Sequence, residues 1–237
     1  MLALVGSGEF LETMRAVDAT LLERASGAGR SHVVVIPTAS IPDGPSVVAR
    51  WSALGEHHFA GLGASVDVVR IGAGESADDP QVAERIGAAS LIYFSGGKPG
   101  FLLRALRGTA AWSAALGVLA GGGVIAGCSA GAMVLGAAIL APRLRRPRAT
   151  EPALGLVPDT LILPHYDALP KPLRALAAWA APGSLTLIGI DEDTALVGAG
   201  ADWQVLGRGG IELRRAGRRE RYESGATVAL SPQPRRP

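Results

Sequence analysis

Gly127-Cys128-Ser129-Ala130-Gly131 has the G-x-S-x-G spacing of a nucleophile elbow. A serine hydroxyl projects toward a substrate carbonyl when it sits on a sharp strand-to-helix turn, and such a turn needs small neighbours on both sides. The run GGVIAG at 122–127 reads as the buried strand before it, and AMVLGAAIL as the helix after it. The first amides of that helix, and its dipole, favour the negative charge that develops on a carbonyl under attack. Cys128, at the x position, reads as a small buried apolar residue facing away from the turn.

A serine nucleophile needs a base. Of the four histidines, His32 begins a strand-like run, and His57 and His58 lie in a helical pattern beside Phe59, where surface or packing roles are expected. His165 alone follows the serine, in LPHYD at the end of an apolar run, with Pro164 fixing the backbone before it. A third group must orient the imidazole. The candidates are Glu151, Asp159, Asp167, Asp191, Glu192 and Asp193. Asp167 is so close to His165 that it would require an unusual loop. In the acidic run, alternation from Ile190 puts Asp191 and Asp193 on one face and Glu192 on the other. Periodicity does not say which face meets His165.

These residues need a scaffold. Short apolar runs at 2–6, 32–37, 65–71, 90–95, 122–127, 160–164 and 185–190 alternate with helical patterns at 10–25, 45–62, 80–88, 99–107, 109–120, 130–140 and 170–181. Strands apolar throughout and separated by helices predict an α/β fold with a parallel sheet covered on both faces. SGGK, GCSAG, HYD and DED each follow such a run, so Gly97, Ser129, His165 and an acid are expected on one rim, at the carboxyl ends of the strands. Residues 194–230 show short β-like pieces with glycine turns, read as antiparallel hairpins at one edge. The proline- and arginine-rich stretch 141–159 has neither period and reads as a long loop, a candidate flap over the site. No linker divides the chain: one domain is expected over 1–232, with a frayed, disordered tail at 233–237.

Composition narrows the function. With 237 residues, 48% hydrophobic and 19% charged, the chain has the means to bury one sizeable core. A net charge of +2 gives no reason to expect nucleic acid. The single cysteine excludes an intrachain disulfide framework and suits a reducing cytosol. No stretch reaches the ~18 apolar residues of a membrane span, and MLALVGSGEF lacks a signal peptide's basic start, so a cytoplasmic protein is expected. The histidines lack metal-ligand spacing, and GSGEF lacks the third glycine of a dinucleotide fingerprint; no metal and no cofactor are expected. A homodimer is left open.

At these motifs the sequence resembles the S51 peptidases, the family of aspartyl dipeptidase (peptidase E) and cyanophycinase. The resemblance runs through GSGEF, IPTAS, FSGGKPGFLLRAL, GVIAGCSAGAMVLG, ALGLVP…LPHYD and GIDEDTALV. It implies the flavodoxin-like three-layer fold of class I glutamine amidotransferases, with a serine in place of their cysteine. It implies a catalytic triad of Ser129, His165 and Glu192, and an oxyanion hole made by the amides of Gly97 and Ala130. The implied activity is cleavage of short peptides, dipeptidase-like, through an acyl-enzyme. One position departs from the family. After the glycine pair these peptidases commonly carry Asn or Asp, and this chain has Lys98-Pro99. Lys98, and Arg148 in the candidate flap, are candidates for holding a substrate carboxylate. Two further readings compete: an α/β-hydrolase esterase, whose acid would precede His165 and so be Glu151 or Asp159, and a ligand-binding protein on the same scaffold without turnover.

Overall fold

The computed structural model describes residues 1–26, 31–141 and 148–230. The first half alternates strand and helix: β1 (Leu2–Val5), α1 (Arg15–Ser26), β2 (His32–Ile36), α2 (Pro45–Gly61), β3 (Ser65–Val68), α3 (Pro80–Gly87) and β4 (Leu91–Phe94). Two helices follow, α4 (Pro99–Leu106) and α5 (Ala110–Ala120), then β5 (Val124–Cys128) and α6 (Ala130–Leu135). The second half is richer in strands: β6 (Gly136–Leu140), β7 (Thr150–Pro152), β8 (Val157–Leu163), α7 (Lys171–Ala180) and β9 (Thr186–Ile190). It closes with β10 (Thr194–Ala199), β11 (Asp202–Gly207), β12 (Gly210–Arg215), β13 (Arg218–Glu223) and β14 (Thr227–Ala229).

The strands form two sheets. The first has the order β14-β11-β10-β1-β5-β4-β2-β3, and its five strands from β1 to β3 are all parallel. The second has the order β13-β12-β9-β8-β6-β7, parallel at its centre and antiparallel at its edges. Side chains in the first sheet alternate between two cores, as a period of two requires. Val33, Val35, Leu91 and Val124 face α1 and α2, packing with Leu21 and Phe59. Val34, Ile36, Ile92 and Ile125 face the other way and share a core with Leu103 of α4, Trp112 of α5, and Ile188 and Ile211 of the second sheet. Leu161 and Leu187 line the outer face of the second sheet beneath α7. Mixed α/β architecture with helices against largely parallel sheets and antiparallel edges is thus what the apolar runs predicted.

Three local expectations are corrected. The helix expected over 130–140 stops at Leu135, and Gly136 turns the chain into β6. Alanine and leucine favour helix locally, but pairing of Gly136 and Ala138 with β8, and burial of Ile139, override propensity. The stretch expected as a loop at 141–159 contains β7 and the start of β8. Its described part is strapped down, since Ala153, Leu154 and Gly155 donate to Ala137, Val134 and Gly136 over 2.8–2.9 Å. The hairpins of 194–230 do not all extend one sheet: β10, β11 and β14 extend the first beside β1, and β12–β13 extend the second beside β9. Residues 142–147 of the expected flap, and the expected tail at 233–237, lie outside the described residues. Among the described residues no helix is long and apolar enough to cross a membrane.

Candidate active site

Ser129 is the junction between β5 and α6, with φ 50° and ψ −109°. That left-handed backbone costs a non-glycine residue on the order of 1–3 kcal/mol, and its neighbours enforce it. The Ser129 amide donates to the Val5 carbonyl of β1 at 2.9 Å, and its carbonyl accepts from Met133 at 3.0 Å. A Cβ on Gly127 would collide with the Gly131 backbone, and one on Gly131 with the Phe94 carbonyl. Both glycines of the G-x-S-x-G motif are therefore demanded by close backbone approach.

The structure brings Ser129, His165 and Glu192 into one hydrogen-bonded line. Ser129 Oγ lies 3.0 Å from His165 Nε2, and His165 Nδ1 lies 2.9 Å from Glu192 Oε1. The base and acid sides are about half exposed, at 41% and 46% of their side-chain surface, so the line opens to solvent along its edge. Ser129 and Gly97 stand on the first sheet, after β5 and β4, whereas His165 and Glu192 stand on the second, after β8 and β9. The rim expected from one sheet is thus assembled from two. Glu192 falls where the chain crosses from β9 in one sheet to β10 in the other.

The three acids lie in the turn after β9, beyond the strand whose alternation suggested their faces, and each has its own partner. Asp191 points inward, accepting from the Gly210 amide at 3.0 Å and from Arg221 Nη1 at 3.1 Å. Asp193 pairs with Arg208 at 3.6 Å and takes a φ of 51°. Asp167 meets the acid instead of the histidine, its Oδ1 accepting the Glu192 amide at 2.8 Å. Glu151 pairs with Arg107 on the edge strand β7, at 3.7 Å, so the acid-before-histidine order of an α/β-hydrolase has no support from it.

Beneath His165, the next residue ties the loop down. The Tyr166 amide donates to the Ile190 carbonyl at 2.9 Å, and its hydroxyl donates to buried Glu212, which also takes Arg214 and Arg219 at 2.6 Å each. Burial alone would raise the Glu212 carboxyl, but the hydrogen bonds from Tyr166, Arg214 and Arg219 outweigh it and hold the group below the usual glutamate range. Burial and the same glutamate push the Tyr166 hydroxyl up.

On the opposite side, Gly97 has φ 139°, and a Cβ there would collide with the Ala39 carbonyl, which accepts the Lys98 amide at 2.7 Å. The amides of Gly97 and Ala130 have no intrachain acceptor among the described residues, so both are free to donate to a bound oxygen. Lys98 is exposed, with its ammonium 3.2 Å from Asp43. Arg148 is not among the groups gathered at Ser129: its guanidinium stacks over Trp179 of α7 at 5.1 Å. Sequence reasoning missed Asp167 as a support for the acid. It also missed Glu9, which is buried against the serine turn. A lone acid between a glycine and a phenylalanine, just after a buried strand, was the available signal. His32 begins β2 and makes an exposed contact with Ser65 at 3.0 Å, and His58 is packed inside, bonding buried Asp18 at 2.9 Å.

A serine on a strained elbow, an imidazole and a carboxyl in one line on an α/β scaffold have the geometry of a serine-type hydrolase. The model of peptidase family S51 matches residues 2–206, and the chain belongs to that family, whose members are serine-type peptidases. It is 30% identical over 221 residues to a cyanophycinase of Trichormus variabilis, covering 88% of this chain and 71% of that one. A cyanophycinase of Synechococcus elongatus is also 30% identical, over 220 residues, covering 88% of this chain and 66% of its own. The crystal structure of a peptidase from an acI-B1 Actinobacterium matches with a TM-score of 0.86 and 31% identity, over 97% of this chain and 96% of that one. A candidate peptidase E protein of Listeria monocytogenes shares the fold at a TM-score of 0.59 and 21% identity, over 94% and 97%.

Proposed function

We propose that this peptidase cleaves short peptides, in the manner of a dipeptidase, through a Ser129–His165–Glu192 triad and an acyl-enzyme. The carrying observation is the unbroken line from Ser129 Oγ through both imidazole nitrogens to Glu192 Oε1, at 3.0 and 2.9 Å. Ser129 Oγ attacks the scissile carbonyl while His165 Nε2 takes its proton. Glu192 accepts from Nδ1–H, fixing the tautomer and stabilising the imidazolium that forms. The tetrahedral oxyanion takes hydrogen bonds from the Gly97 and Ala130 amides. The C–N bond breaks as His165 returns the proton to the leaving amine, and a water activated by the same nitrogen hydrolyses the ester.

Lys98, directly after the oxyanion glycine, would anchor a substrate carboxylate, exchanging its exposed contact with Asp43 for the ligand. This anchor is what would favour a short substrate whose free carboxylate lies near the cleaved bond. The cytoplasm, where a lone thiol stays reduced, is the setting we propose for it. Turnover of a dipeptide library by wild type and Ser129→Ala tests the reading. Cleavage by the wild type and none by a folded Ser129→Ala is expected; equal cleavage by both would remove Ser129 from its role. A folded wild type that binds peptides and cleaves none would favour the ligand-binding alternative.

A further inference from the structure

Glu9 is 7% exposed, and no step above uses it. It lies on the turn after β1, between two residues with left-handed backbone, Gly8 at φ 85° and Phe10 at φ 64°. Phenylalanine adopts that conformation rarely, and here its ring is seated against Tyr93 at 5.0 Å, Phe59 at 6.0 Å and Trp51 at 6.2 Å. The turn therefore has a packed anchor that aims the intervening carboxyl inward. Glu9 Oε1 accepts the Gly96 amide at 3.0 Å, and Oε2 accepts the Cys128 thiol at 2.9 Å. Gly96 immediately precedes Gly97, and Cys128 immediately precedes Ser129. A Cβ on Gly96 would stand 2.7 Å from Glu9 Oε1 and 3.3 Å from Ser129 Cβ, so the carboxyl, the glycine pair and the serine are in direct succession.

We propose that Glu9 is a positioning residue for the reaction, holding the Gly96-Gly97 turn and the Cys128-Ser129 turn at a fixed separation by accepting one hydrogen bond from each. The inference rests on the triad reading given above. Neither glycine has a side chain to hold it, so the direction of the Gly97 amide depends on where Gly96 is anchored. Burial of the Gly96 amide makes loss of its acceptor costly, and the peptide would turn to find another. Cys128 serves as the second attachment: burial, first, and the neighbouring Glu9 carboxyl keep its thiol protonated and able to donate.

Stopped-flow phosphonylation of Ser129 by a fluorophosphonate tests this in the full chain, with Ser129→Ala as the blank. Glu9→Met keeps the length of the side chain without an acceptor. It is expected to lower the maximal phosphonylation rate about 10- to 100-fold, less than or equal to the loss of a whole oxyanion donor, with half-saturation by the probe unchanged. Glu9→Gln retains an oxygen for the Gly96 amide and turns its NH2 to the Cys128 sulfur, a weak acceptor, so both attachments persist and the rate should stay within about 3-fold of wild type. A wild type that does not label defeats the triad reading, and this inference with it. A labelling wild type matched by Glu9→Met leaves the triad standing and overturns the role of Glu9 alone, as does Glu9→Gln being as slow as Glu9→Met. Should Glu9→Met fail to fold, Glu9→Asp takes its place. Drawn back by one methylene, it is expected to label more slowly, and an unchanged rate overturns the proposal.

Discussion

Ser129 stands on the first sheet, where the supports are apolar strands, glycines that admit backbone to backbone and the single buried carboxyl of Glu9, whereas His165 and Glu192 stand on the second, where several charged or polar groups gather around each of two buried carboxylates. Around the serine, β5 is buried along its whole length, and Gly127 and Gly131 let α6 and β4 close on it. Around the other two, Glu212 gathers Tyr166, Arg214 and Arg219, and Asp191 gathers Arg221 and the Gly210 amide. Close packing is nondirectional and tolerates little change of volume. Charge-assisted hydrogen bonds fix direction, and they respond to pH and to loss of one partner. A nucleophile needs a strained turn held in place, and an imidazole needs its ring aimed. Each sheet supplies the support suited to the group it carries.

The largest expected effect is on the reaction itself. Ser129→Ala should lower kcat by roughly 10⁵-fold or more with an unchanged circular dichroism spectrum, measured by peptide turnover. Glu192→Gln, which leaves the ring bonded but no longer favours the imidazolium, should cost about 10³- to 10⁴-fold, and Asp167→Ala, freeing only the Glu192 amide, about 10-fold or less.

Legibility followed range. The parallel strands were visible because strands buried on both faces are apolar throughout, and this property travels with each short segment. The serine and histidine were visible because glycine spacing and the position after an apolar run are local too. That Glu192 and not Asp191 meets the histidine was implied by the family resemblance alone, since alternation distinguishes faces without saying what lies opposite them. The division into two sheets was invisible for a like reason, as pairing of β9 with β12 is decided across about twenty residues of intervening chain. Gly136 ending a helix that its alanines favour, and Glu9 reaching across to residues 96 and 128, are likewise decided by distant partners.

Substitutions in the two sheets should have opposite signatures. Ile92→Ala in β4 should destabilise the fold by about 2–5 kcal/mol through a cavity, yet leave kcat per folded molecule near wild type. Glu212→Gln should cost less stability, about 1–2 kcal/mol once the exposed arginine partners are discounted, and still lower kcat several-fold by loosening Tyr166 beside His165. Denaturant melts with active-site titration separate the two, and the reverse pattern would show that the two sheets do not support their catalytic groups differently.

A smaller effect concerns acid. A carboxyl held below its ordinary value of 4.5, as Glu212 is, contributes stability that is complete above that value and fades as pH falls through its folded pKa. Urea melts from pH 6 downward should therefore show Glu212→Gln converging on wild type below that range. Smallest of all, iodoacetamide should leave native Cys128 unmodified over hours, because burial keeps its thiol protonated and out of reach; modification is expected only on unfolding.

Turnover through this site requires His165, from the second sheet, to activate Ser129 on the first. Intact-mass and peptide mass spectrometry after fluorophosphonate treatment reads that activation, with His165→Ala and Ser129→Ala alongside the wild type. One adduct on Ser129 is expected, absent from Ser129→Ala and slowed at least about 10³-fold in His165→Ala. A folded wild type without adduct, or labelling of Ser129 that persists undiminished without His165, would contradict it.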